Sequence, residues 1–185
     1  MWSSNLGNVF LSAAGIAIWL VYAVFLQREW GWSVLKTGLA MTPSPATAGI
    51  TAIIGARLCN KYGPRTVIEI GSLLPVFGTA WLVWRLGAEP NFLVDFLTGA
   101  LMFASGFGFT FAPLNAAALA AVPREQLGQA NAAFNTARQL AGGLGSAVIV
   151  AILGNGRISM GAYKAAFVVN AGLSLACAVI IAAFY

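Results

Sequence analysis

Few side chains in this sequence could do chemistry, and two of them are carboxylates inside long apolar runs, Glu69 and Asp95. A carboxylate in such a place can take up and release a proton, so both are candidate proton-coupling groups. Each sits about one helical turn inside its run, near an end rather than the middle. Glu69 also follows Arg65 by four residues, a spacing that an ordinary helical ion pair explains. Arg138 is the deepest cation, on a segment long enough for its side chain to reach an interface. Histidine is absent, and the two cysteines, Cys59 and Cys177, stand far apart. That excludes His-ligated metal sites, His-dependent triads and a disulfide framework. No metal ligand set and no catalytic residue is expected.

Uncharged polar residues recur at helical spacing. Asn131, Asn135, Arg138 and Gln139 form one stripe, Asn8, Ser12, Gly15, Trp19 and Tyr22 a second, and Asn170, Ser174 and Cys177 a weaker third. Such a stripe faces a water-filled cavity or another helix, not lipid. Phe103, Phe107 and Phe111 make an aromatic line, which suits either helix packing or flat lipophilic and cationic ligands held by stacking and cation–π contact. Gly142, Gly143, Gly145 and Ser146, with Gly99, Gly106 and Gly108, allow close helix approach. No strand precedes these glycines, so they are not phosphate loops. The densest charge is in Gly55–Arg65, where Arg57, Lys61 and Arg65 fall between two apolar runs and Gly63-Pro64 punctuates the turn. This stretch reads either as a positive-inside anchor or as a gating element.

The elements that position these residues must lie in lipid. The chain has 185 residues, 59% hydrophobic and 8% charged, with a formal charge of +5. Soluble domains carry roughly a quarter charged residues. Dispersed cations between apolar runs suit loop anchors rather than nucleic acid. Roughly 20 apolar residues cross a bilayer as a helix. The charge-sparse runs predict six spans, at about 7–26, 37–57, 66–85, 92–121, 126–153 and 163–183, in one all-α polytopic membrane domain. Pro43 and Pro45 interrupt the second, Pro75 lies in the third, and Pro113 is expected to kink the fourth. The first run is longer than the apolar core of a signal peptide and lacks a basic start, so it is read as a span. Cations divide evenly between the two sides: Arg57, Lys61, Arg65, Arg124 and Arg138 against Arg28, Lys36, Arg85, Arg157 and Lys164. Charge alone therefore leaves the orientation open, and only the density of the Arg57–Arg65 cluster favours placing that turn inside the cell.

Gly55-x-Arg57-Leu58-x-Asn60-Lys61-Tyr62-Gly63-Pro64-Arg65 resembles the motif A loop of the major facilitator superfamily. Gly38–Pro43, Ala112–Ala118, Val122–Glu125, Gly128–Asn131 and Asn135–Gly145 resemble its EmrB/QacA-type multidrug efflux branch. The resemblance covers nearly the whole chain and matches only the C-terminal six-helix half of that family. It implies a missing N-terminal half, which would carry the family's antiporter motif, or a second copy of this chain.

The resemblance further implies a secondary active exporter of hydrophobic or cationic small molecules, working by alternating access in a bacterial inner membrane. The proton gradient would be its driving force, with no bound cofactor. Gly55, Leu58, Asn60, Lys61, Gly63 and Arg65 would form the cytoplasmic gate. Asn60 stands where the family has an acidic residue, which weakens any ionic latch. Trp19, Tyr22, Phe103, Phe107, Asn131, Asn135, Arg138 and Gln139 would line the cavity, because the first, second, fourth and fifth helices of that half border it. A non-transporting remnant or accessory subunit, or an uptake carrier of the same superfamily, is the alternative.

Overall fold

The apolar runs fold as long helices because lipid offers no partner for an exposed backbone polar group. A computed structural model describes residues 2–87, 91–120, 122–154 and 159–184. Among them the α-helices are α1 (Trp2–Arg28), α2 (Val34–Met41), α3 (Pro43–Tyr62), α4 (Pro64–Arg85), α5 (Thr98–Ala120), α6 (Leu127–Leu153) and α7 (Met160–Phe184). A π-helical turn, Phe92–Leu97, leads into α5, and a single 3₁₀ turn, Arg124–Gln126, leads into α6. No strand occurs among the described residues. The expected turn around Gly154–Arg157 lies outside them from position 155 onward.

Among the described residues, five stretches are long and apolar enough to cross a membrane: Leu6–Arg28, Pro64–Arg85, Phe92–Ala120, Arg124–Leu153 and Met160–Ala183. The sixth long helix, α3, has 20 residues and includes Arg57 and Lys61. The segment expected as one span at 37–57 is two helices that meet at Thr42. Pro43 opens α3, where a missing N–H costs nothing, and Ser33 caps α2 by accepting from the Lys36 amide at 3.3 Å. The second element also runs further than expected, to Tyr62, because the turn after it is a single residue. Gly63 takes φ +86°, a left-handed conformation that glycine adopts without strain, and Pro64 starts α4. α4 and α5 continue through Pro75 and Pro113.

The helices pack in a two-fold pattern. α1 lies against α6 and α7, α5 lies against α3 and α4, and α4 meets α7. Exchanging α1, α3 and α4 for α5, α6 and α7 maps each of these neighbours onto another. The exchange also reverses helix direction. The start of α1, the start of α4 and the ends of α5 and α7 meet in one cluster of Leu11, Ile68, Leu114 and Ile181. Two inverted three-helix repeats produce this pairing.

Small residues set the closest approaches. On α4 and α5, Gly78 faces Gly99 so tightly that a Cβ at Gly78 would lie 2.7 Å from the Gly99 carbonyl oxygen. The far end of the bundle is held by aromatics. Trp30 donates to the Gly87 carbonyl at 3.2 Å, and Phe25 meets Trp30 and Tyr163 edge-on at 5.4 and 5.2 Å.

Candidate functional site

Both apolar-run carboxylates are ion-paired. Arg65 Nε donates to Glu69 Oε1 at 2.7 Å across one turn of α4. Arg85, at the other end of α4, donates through Nε and Nη2 to Asp95 Oδ1 at 3.0 and 2.9 Å. The two pairs sit at opposite ends of the bundle, because α4 starts at Pro64 and ends at Arg85. Among the described residues no group of three or more His, Cys, Asp or Glu is placed to hold a metal ion.

Two cavities lie along α1. The first, about 240 Å³, is enclosed by α1, α3 and α5 and holds Trp19, Tyr22, Phe103 and Phe107 together. No charged residue lines it. Gly15 makes room for the Phe107 ring, whose Cε2 would lie 2.5 Å from a Cβ at that position. Phe103, Phe107 and Phe111 stack along α5 with ring centroids 6.5 and 5.1 Å apart. Tyr22 lies edge-on to Phe96 at 4.8 Å, and its buried hydroxyl has no hydrogen-bond partner among the described residues. The wall from α3 is Ser44, Pro45 and Ala48, none of which was expected to line a cavity. Their signal is a stripe of small residues, Ser44, Ala48, Thr51 and Gly55, at helical spacing. It continues down α3 against Gly108 and Phe109 of α5.

The second cavity, about 370 Å³, opens between α1, α5 and α6 at the end that carries the basic turn. Asn8 and Arg138 bring polar groups into it, and Phe134, Leu119 and Val9 are among its apolar lining. Arg138 lies 5.4 Å from the centre of the Phe111 ring. The cavity brings together Asn8 and Arg138, which are 130 positions apart in sequence, and no local spacing could have signalled it. The α1 stripe is therefore shared between the cavities: Asn8 goes to one, while Gly15, Trp19 and Tyr22 go to the other. Ser12, between them, donates to Asn8 Oδ1 at 3.2 Å.

The structure does not bring all eight expected cavity residues together. Asn131, Asn135 and Gln139 are exposed on α6, apart from both cavities, and Asn135 Nδ2 donates to the Asn131 carbonyl at 3.0 Å. The third stripe is packed inside, with Asn170 donating to the Ala14 carbonyl at 2.8 Å. In the basic turn, Gly55 is buried against Phe109, Leu58 is half-buried, and Asn60 and Lys61 are exposed. Lys61 Nζ lies 5.0 Å from the centre of the Tyr62 ring.

Comparison with known proteins adds to this geometry. The family described as Major Facilitator Superfamily matches residues 5–185. The cephamycin export protein of Amycolatopsis lactamdurans is 27% identical, over 95% of this chain and 37% of its own length. The puromycin resistance protein of Streptomyces alboniger is 31% identical, over 89% of this chain and 31% of its own length. The multidrug resistance protein Stp of Mycobacterium tuberculosis H37Rv is 27% identical, over 79% of this chain and 26% of its own length. The chain thus spans about a third of the length of these curated relatives.

Proposed function

The chain belongs to the Major Facilitator Superfamily, and we propose that it forms the C-terminal half of an exporter of small molecules that works by alternating access. The observation that carries this is the aromatic cavity between α1, α3 and α5, where Trp19, Tyr22, Phe103 and Phe107 converge without a charge. Flat lipophilic molecules suit such a lining, because rings stack and no ionised group has to be desolvated. The names of the relatives, which include an export protein and two resistance proteins, support export over uptake.

In this reading α3 is a sixth span, the six helices form one domain, and both chain ends face the cytoplasm of a bacterial inner membrane. The inverted pairing of the helices supports a half that rocks as a unit against a partner, either an N-terminal half or a second copy. The close glycine seam between α4 and α5 keeps the half rigid. The basic turn closes the cytoplasmic side. Arg65 is engaged by Glu69, and Asn60 brings no charge, so Arg57 and Lys61 are the cations left for a partner surface.

Glu69 and Asp95 each lie in an ion pair with an arginine near opposite ends of the bundle, and neither lines a cavity described above. Proton coupling is therefore assigned to groups beyond this chain. The test is retention of a lipophilic dye by cells that express the protein. Export predicts faster loss of dye than from cells with an empty vector, and a protonophore should abolish the difference. Equal loss in both strains would contradict export.

A further inference from the structure

We propose that the cavity at the basic-turn end binds a small amphiphilic anion, an apolar body with one carboxylate, through Arg138 and Asn8. Both residues line the cavity, and each carries a buried donor without an acceptor among the described residues. Among the described residues, Arg138 Nε is buried without a hydrogen-bond partner, and neither ion pair includes this arginine. Its one described neighbour of matching polarity is the face of Phe111, at 5.4 Å. Asn8 is 2% exposed. Its Oδ1 is taken by Ser12, which leaves Nδ2 buried with no acceptor among the described residues.

Two donor-bearing residues that line one cavity complement a ligand that only accepts. An ionised carboxylate does so, and hydrogen bonds to it from a guanidinium and an amide are stronger than neutral ones. A cationic ligand would meet Arg138 with like charge and would leave both donors unmet. The rest of the lining is Val9, Leu119, Val122, Phe134 and small alanines, which fits an apolar body. The volume, about 370 Å³, is within the range of small-molecule sites. Phe111 links the two cavities, since it stacks on Phe107 of the uncharged one at 5.1 Å. As a substrate class this rests on the export reading, and the anion site is then the first station from the cytoplasmic side.

The test is calorimetric titration of the protein in nanodiscs with 2-naphthoate, 2-naphthalenemethanol and 2-naphthylmethylammonium. The carboxylate should bind about tenfold or more tightly than the alcohol, and the ammonium should not bind. Arg138→Gln should weaken 2-naphthoate about tenfold or more, with part of the affinity kept in Arg138→Lys, which retains charge but loses the planar fork. Asn8→Asp guards against a misfolded arginine variant. It puts a carboxylate on the wall of the cavity that Arg138 also lines, so the folded protein should lose 2-naphthoate binding. Equal affinity for the three probes, no binding of 2-naphthoate, or undiminished binding by a folded Arg138→Gln or Asn8→Asp protein would each overturn the proposal. These measurements need neither a gradient nor movement, so a protein that fails to export dye yet binds 2-naphthoate refutes only the export reading.

Discussion

Gly145 and Gly143 stand on the same turn of α6, and replacing each by alanine should have opposite effects. At Gly145 a Cβ would lie 2.7 Å from the Ala13 carbonyl oxygen and 3.2 Å from the Ala13 carbonyl carbon and Cα. All three are backbone atoms of α1, inside a helix that has no freedom to turn one carbonyl aside. The two helices must separate by roughly 0.7 Å before the contact becomes ordinary. Overpacking of this kind costs about 1–3 kcal/mol. At Gly143 nothing lies within 4 Å of the new atom, and the helix gains about 1 kcal/mol from the better helix former. The variants should therefore differ by about 2–4 kcal/mol, or roughly 5–15 °C in melting temperature for a chain of this size. Cys177 supplies a reporter, because it is buried in the fold and reacts with a thiol-reactive fluorophore only once the bundle opens. Equal melting temperatures for Gly143→Ala and Gly145→Ala would refute the close α1–α6 approach on which the fold account depends.

Phe107→Ala should raise the half-saturating concentration of a lipophilic transport substrate about three- to tenfold, because the ring supplies a stacked wall of the uncharged cavity. Transport kinetics check this, and an unchanged value would remove Phe107 from the substrate path. Arg65→Ala should change stability by less than about 0.5 kcal/mol, since the side chains of its ion pair with Glu69 are 62% and 34% exposed. If the basic turn gates, the same variant should lower transport at an unchanged membrane level, and full transport would leave the turn as an anchor. Asn170→Ala removes a buried hydrogen bond from α7 to the Ala14 carbonyl and should cost about 0.6 kcal/mol, with about 1.7 as the upper limit for such bonds in lipid. A melting temperature at or above that of the unsubstituted protein would contradict this bond.

Much of the architecture was legible because lipid imposes it. Runs without charge marked the long helices, and Gly63-Pro64 marked the turn between α3 and α4. Boundaries were less legible where one residue does the work of a loop: Gly63 turns the chain alone, so α3 extends to Tyr62 rather than ending near 57. Helical spacing found the stripes but not their partners. Trp19, Tyr22, Phe103 and Phe107 converge because Gly15 admits the Phe107 ring, a fact about two helices that neither one's sequence contains. Asn131, Asn135 and Gln139 share a stripe with Arg138, yet their side chains are exposed while part of Arg138 is buried. That Asn8 and Arg138 line one cavity was invisible for the same reason, since it depends on how α1 packs on α6.

The central claim, export driven across the membrane, is tested most directly in energised inverted membrane vesicles that contain the protein. The account predicts uptake of a labelled lipophilic substrate into the vesicle lumen on imposing an inward-acid proton gradient, its collapse on adding a protonophore, and a marked loss in Phe107→Ala. Uptake no greater than in vesicles without the protein would contradict it.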